Sequence, residues 1–185
     1  LFAVGSIILG GAGQGNVVRI ATKPMTEQLI IGEMLKCVIE YDTNLEVMLT
    51  AGVGGGTSNI HPAMERGVFD IYPEYTGTGW NMVLKEDAQY SEDMFPLLME
   101  TYRERFRMRW LGMYGFNDTF GIVVRRDIAE QYRLQTYSDL RRAASVLVFG
   151  AEYDFFERED GYTALCKAYG LSFARTMDMD IGLKY

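Results

Sequence analysis

The chain has 185 residues, 48% of them apolar and 23% charged, the composition of a globular protein able to bury a core. With 18 Lys and Arg against 25 Asp and Glu, its formal charge of −7 argues against non-specific nucleic-acid binding, which needs a contiguous basic surface to displace phosphate counterions. One His and two Cys, Cys37 and Cys166, lack the paired spacing of zinc or redox motifs, so metal catalysis is not expected.

The first residues, LFAVGSIILGGAGQG, form an apolar run closed by small residues. Leu1 to Leu9 is too short to span a bilayer. It reads as the end of a signal peptide or membrane helix, or equally as a buried first strand, and residues 1–16 are set aside as remnant or linker. From Val17, VVRIA reads as a strand, and LIIGEMLKCVIE carries apolar residues at helical spacing. Leu45 to Leu49 is a second strand. Ser58 or Asn59 caps a short helix through Met64, which Gly67 ends, and VFDIYPEY is a third strand. This alternation of strand and helix predicts βαβ crossovers and an α/β sheet.

Ser91 to Arg107 reads as an amphipathic helix ending in the basic cluster RERFRMR. Beyond Gly112, TFGIVV is an apolar strand, SDLRRAA a capped helix, SVLVFG a strand and FFEREDGYTALCKAY a helix, with another helix starting at MDIGLKY. That makes a second α/β unit, left unfinished. The domains are therefore read as residues 17–116 and 117–185.

Nucleotide motifs are absent. Neither GGAGQGN nor GVGGGTSN satisfies G-x-G-x-x-G, and no P-loop occurs. The loop Gly52 to Asn59 still permits close backbone approach before a helix N-terminus. His61, the sole histidine, reads as structural, and Cys37 and Cys166 as buried free thiols on helical apolar faces, with a disulfide open to an oxidising compartment. No nucleophile elbow exists, and no enzyme is implied. Aromatics gather at strand ends instead, in IYPEYTGTGW and MYGFNDTF, where ligands of open α/β sheets bind. Aromatic faces suit a quaternary ammonium, which has no N–H to donate and is held by ring quadrupoles. Tyr72, Trp80 and Tyr114 within these segments read as structural.

Four segments, ATKPMTEQLIIGEML, GVGGGTSNIHPAMERGVFDIYPEYTGTGW, GFNDTFGIVV and FGAEYDFFEREDGY with MDIGLKY, carry a family resemblance in register. The chain resembles the extracytoplasmic substrate-binding proteins of osmoprotectant ABC importers, the glycine betaine/choline type. The resemblance implies a type II periplasmic-binding-protein fold, two α/β lobes with a ligand cleft, and no cofactor. It implies capture of a quaternary ammonium osmolyte and delivery to a membrane permease and its ATPase. Residue by residue, Tyr75 matches a tyrosine of the family's cation box and Thr78 a polar residue at the ligand's other end. Lys23 falls at the carboxylate-binding lysine and Arg158 at its arginine. Asp118 matches the position whose carbonyl approaches the cation. Phe120 stands where a box tyrosine is usual, which keeps the π-face and loses the hydroxyl.

The family's other box tyrosines and the segment returning to the first lobe lie past the last residue of this sequence. The second lobe is therefore expected to be incomplete, the chain being truncated, a fragment, or one end of a permease fusion. Its location is expected to be extracytoplasmic, tethered or not. The rival readings are an enzyme on a related two-lobed scaffold, of the porphobilinogen-deaminase type, and a non-binding fragment that self-associates through unpaired strand edges.

Overall fold

A computed structural model describes residues 4–5 and 16–183. The reading of residues 1–16 as remnant or linker falls, apart from residues 4, 5 and 16, outside the described residues, as do the final two residues of MDIGLKY. The backbone divides into two compact units, the first running through Asn117 and the second starting at Asp118.

In the first unit β1 is Val4–Gly5, β2 Val17–Ala21, α1 Thr26–Asp42, β3 Glu46–Thr50, α2 Gly56–Glu65 and β4 Ile71–Tyr72. The short α3, Thr76–Thr78, runs on as a π-helical turn over Gly79–Val83. A 3₁₀ turn at Glu92–Met94 leads into α4, Phe95–Phe106, and β5 is Arg109–Trp110. The sheet order is β3-β2-β4-β1-β5. Strand β2 runs parallel to β3 and β4, so Ile20 faces Leu49 on one side and Ile71 on the other, while β1 is antiparallel to β4 and β5. The β-branched residues of β2 and its neighbours suit this pleated surface, and Ile20, Val47 and Ile71 form one core cluster. Beside them, Arg19 makes paired hydrogen bonds of 2.8 and 2.7 Å to Asp70, tying β2 to the approach of β4.

Strand β4 is far shorter than the predicted VFDIYPEY because Pro73 has no N–H for the ladder. Helix α1 corrects the reading of Cys37. Two apolar stripes run along it, and the one that packs is Ile31, Leu35 and Ile39, with Gln28 and Gly32 also buried. Gly32 decides which stripe turns inward: a Cβ there would lie 2.5 Å from Thr22 Cγ2, so the helix can approach Thr22 this closely because the residue has no side chain. Ile30, Met34, Val38 and Tyr41 are left exposed, and Cys37 with them. Both cysteines are free thiols, Cys166 being half-buried. Among the described residues no helix is long and apolar enough to cross a membrane.

The larger core of this unit is aromatic. Tyr72, Tyr102, Trp80, Trp110 and Leu98 are buried together with Ile60 and Met64. Tyr102 meets Trp110 edge to face at 5.3 Å and Phe106 at 5.2 Å, the arrangement that ring quadrupoles favour. The π turn passes close to these rings through Gly79, where a Cβ would lie 2.8 Å from Trp110 Cζ2 and 3.0 Å from the Tyr102 hydroxyl. His61, buried on α2, shares a 3.2 Å hydrogen bond with the Tyr72 hydroxyl and meets Phe106 edge to face at 4.6 Å. Its Nε2 has no hydrogen-bond partner among the described residues.

The second unit contains α5, Arg126–Tyr132, then 3₁₀ turns at Tyr137–Arg142 and Ala144–Val146, and β6, Val148–Ala151. Helices α6, Tyr153–Glu157, and α7, Tyr162–Tyr169, connect β6 to β7, Arg175–Asp178, which pairs with it in parallel. A last 3₁₀ turn covers Ile181–Leu183. A reciprocal cap between Thr136 and Asp139 opens the first 3₁₀ turn, which stands where a capped helix was expected over SDLRRAA. Two expectations are corrected, and one strand was not foreseen. The helix over FFEREDGYTALCKAY is two helices, broken at residues 158–161, where any side chain on Gly161 would collide with the Phe155 carbonyl. TFGIVV forms no strand: Ile122 and Val124 pack on Leu140, Ala144 and Leu171, and the Ile122 N–H donates to the Tyr137 hydroxyl at 3.3 Å instead of to a neighbouring strand. Strand β7 was hidden, because all four residues of RTMD are exposed and show no apolar alternation.

Two predictions follow from this packing. Gly79→Ala forces a methyl group against Trp110 and lowers unfolding free energy by about 1–3 kcal/mol, measured by urea titration. Burial holds the His61 imidazole below its ordinary pKa, against a partial opposing pull from the charges of Glu65 and Glu74. The unfolded chain therefore binds the proton more readily, and stability is lost as pH falls below the unfolded value of about 6.5 toward the lower folded value. Because His61 is the one histidine, His61→Gln is expected to flatten the decline of Tm between pH 7 and pH 5.

Candidate functional site

Strands β2, β3 and β4 are parallel, so their carboxyl ends open on the same edge of the first unit's sheet. Three chain segments leave from that edge. Thr22 and Lys23 follow β2 and lead into α1; the glycine-rich loop follows β3 and leads into α2; Pro73, Glu74 and Tyr75 follow β4 and lead into α3. Gly55, at φ 74°, sits in the left-handed region that starts α2 without a side-chain cap.

Glu74 joins these segments. Its side chain is fully buried, and its Oε1 accepts from the Lys23 ammonium and from the Tyr75 backbone N–H at 2.7 Å. Its Oε2 accepts from the Thr57 hydroxyl at 2.8 Å, one residue into α2. A buried carboxylate without partners would be costly; here an ammonium and two neutral donors saturate it. Lys23 is itself only 3% exposed, and its ammonium lies 4.7 Å from the centroid of the Tyr75 ring, at cation–π distance. The Tyr75 hydroxyl donates to Glu27 in the first turn of α1. The Lys23 backbone N–H points at Gln28 Oε1 at 3.5 Å. Desolvation pushes the Tyr72 phenol well above its ordinary pKa, and the nearby charge of Glu74 pushes the same way.

The second unit carries an arrangement of the same chemistry. Arg158, 7% exposed, donates through Nε and Nη2 to both oxygens of Asp160 at 2.8 Å. Its guanidinium carbon lies 5.1 Å from the centroid of Phe120, and Phe120 meets Phe155 at 5.0 Å. Phe155 stacks in turn on Phe149 at 5.9 Å. The break between α6 and α7 places Arg158 and Asp160 in this geometry, since Asp160 precedes the Gly161 turn.

The residues singled out from sequence thus fall into two sets. Lys23 and Tyr75 touch in the first unit, with Thr78 buried three residues further along the same helical turn. Arg158 and Phe120 touch in the second, and Asp118 is exposed two residues before Phe120. Tyr72 and Trp80 are buried core rings, whereas Tyr114 is 43% exposed. Sequence reasoning missed the acids. Glu74, Glu27 and Asp160 were not among the candidate residues. The available signal was the setting of Glu74 in YPEYTGT, an acid enclosed by aromatic and proline residues at a buried strand end. Phe120 is an exposed ring under the Arg158 guanidinium.

Comparison with known proteins identifies the family. The pattern described as the substrate-binding domain of the ABC-type glycine betaine transport system matches residues 16–183. An ergothioneine transport permease/ergothioneine binding protein of Helicobacter pylori is 43% identical over 166 residues, covering 90% of this chain and 30% of the relative. A carnitine transport binding protein of Listeria monocytogenes is 38% identical over 180 residues, covering 96% of this chain and 58% of the relative. The chain therefore spans between 30% and 58% of the length of these two relatives. A crystal structure of a glycine betaine/carnitine/choline ABC transporter superposes with a TM-score of 0.57 and 28% identity, over 92% of this chain and 63% of that one. The α/β fold is accordingly that of the type II periplasmic binding proteins. The chain belongs to the family of substrate-binding domains of ABC-type glycine betaine transport systems.

Proposed function

We propose that this chain captures a small betaine, a molecule carrying a quaternary ammonium and a carboxylate, outside the cytoplasm and hands it to an ABC permease. The observation that carries the reading is the Tyr75 ring at the carboxyl edge of the sheet, which already has a cation at 4.7 Å and a carboxylate on its hydroxyl. A ring in that setting stabilises positive charge without needing an N–H from the ligand. The relatives support the same class: ergothioneine, carnitine and glycine betaine are all trimethylammonium carboxylates. In this reading Tyr75 offers a ring face to an ammonium and Thr78 a hydroxyl in the first unit, while in the second unit Phe120 offers a ring face, Asp118 a carbonyl, and Arg158 a cation for a carboxylate. Mechanistically no covalent step is required. Ligand that binds one conformation better shifts the population toward it, and the permease reads the loaded form.

An enzyme of the porphobilinogen-deaminase type needs a cysteine at the site. Cys37 lies ten residues past Glu27 along α1, about 15 Å by helical rise, which disfavours that alternative. Cys166 sits in α7, away from the Arg158 turn in sequence.

Calorimetric titration of the full-length gene product with glycine betaine, carnitine, ergothioneine and choline tests the proposal, and heats of binding with none of the four would sink it. Tyr75→Ala is expected to weaken every quaternary ammonium ligand, by roughly 3–30-fold if one ring contributes its usual share. Arg158→Ala is expected to weaken glycine betaine by about tenfold or more while leaving choline, which has no carboxylate, within about twofold. Equal loss of both ligands would reject that division of roles.

A further inference from the structure

Among the described residues, the side chains that meet Tyr75 include three ionisable ones, and two of them are carboxylates. Glu74 accepts its backbone N–H at 2.7 Å, Glu27 accepts its hydroxyl, and Lys23 lies over its ring. The resemblance assigns Lys23 to a ligand carboxylate. Its ammonium, however, is buried and already bonded to Glu74, so its charge is compensated in place. We infer that Glu27 and Glu74 are specificity-determining residues that keep the surroundings of Tyr75 net negative and so tune the protein toward the cationic end of its ligand, with Lys23 positioning Glu74 and the ring. This rests on the betaine-capture reading and names the residues that set its selectivity.

The physical argument has two parts. An uncompensated ammonium 4.7 Å from the Tyr75 centroid would repel any second cation approaching the same ring. Glu74 cancels that repulsion, because it is locked by the Thr57 hydroxyl at 2.8 Å and stays with Lys23 when ligand arrives. A quaternary ammonium has no N–H and does not compete for that hydrogen bond. Glu27 then adds the surplus negative charge, and by accepting the Tyr75 hydroxyl proton it enriches the ring's π-face. Removing either charge penalises a purely cationic ligand most. A zwitterion loses the same attraction at its ammonium but its carboxylate is relieved of a repelling acid.

The test uses choline, a net cation, and glycine betaine, a zwitterion, in calorimetric titrations of the full-length wild type, Glu27→Gln and Glu74→Gln. The expected result is an affinity for choline lowered about tenfold in each variant and an affinity for glycine betaine lowered threefold or less, so that the choline-to-betaine Kd ratio rises. Glu27 is half-buried on the first turn of α1, so Glu27→Gln carries the test if circular dichroism shows Glu74→Gln unfolded. A ratio that stays constant or falls while both ligands still bind overturns the inference and leaves betaine capture standing. Wild type that binds neither ligand overturns the inference, and betaine capture falls with it when carnitine and ergothioneine also give no heat of binding.

Discussion

The buried carboxylate of Glu74 is the constraint on which the first unit's sheet edge depends. It receives hydrogen bonds from residues that follow β2, open α2 and start α3, and has no contact with solvent. Such a group is stable only while every partner stays in place, because a lone buried charge is worth several kcal/mol of destabilisation. The three segments are therefore positioned together, and Tyr75, which donates to Glu74 through its own backbone, is fixed with them. Precision at this edge comes from satisfying an anion, with apolar packing supplying the foundation beneath it through Tyr72 and Ile60.

The second unit reaches a similar arrangement of ring, cation and acid by a different local route. Arg158 and Asp160 are two residues apart, so their bidentate pairing is set by the chain break between α6 and α7 and by the tight turn at Gly161. The planar guanidinium lies against Phe120, whereas Lys23 presents a point charge to Tyr75. Exposure separates the two as well: Asp160 is 42% exposed on its side chain and Glu74 has none. Arg158 is buried but Asp160 reaches water, so this carboxylate can leave its cation at lower cost than Glu74 can, which suits an arginine proposed to take a ligand carboxylate. The buried pair resists exchange.

Much of the fold was legible because it rests on periodicity. The strand and helix alternation from Val17 to Tyr72 follows directly from apolar spacing, whereas the stops at Pro73 and Gly161 were overrun by the strand and the helix read from sequence. What periodicity misplaced was orientation: α1 is apolar on two sides, and the choice between them is made by Gly32 against Thr22, a contact separated by ten residues and invisible to a local window. Strand β7 escaped because its residues are exposed and its order comes from the ladder to β6. TFGIVV misled in the opposite sense, having a strand's composition and finding apolar neighbours without a ladder. At the candidate site the aromatic and basic residues were readable from a family resemblance. The acids were not, since a glutamate beside a tyrosine looks the same in sequence whether solvated or buried.

That asymmetry bears on how a protein can hold its own cation and a ligand's cation near one ring. Lysine and a trimethylammonium group carry the same charge but different valence for hydrogen bonding, three N–H donors against none. A carboxylate hydrogen-bonds the lysine and attracts the trimethylammonium by charge alone, while an aromatic face meets both cations through the same quadrupole. Placing Glu74 on Lys23 assigns the hydrogen-bonding anion to the resident cation and leaves the ring as the currency for the visitor. The resident lysine then orders the ring without consuming the feature by which a quaternary ammonium would be chosen, and the sign of the remaining charge, set by Glu27, decides how strongly a net cation is preferred over a zwitterion.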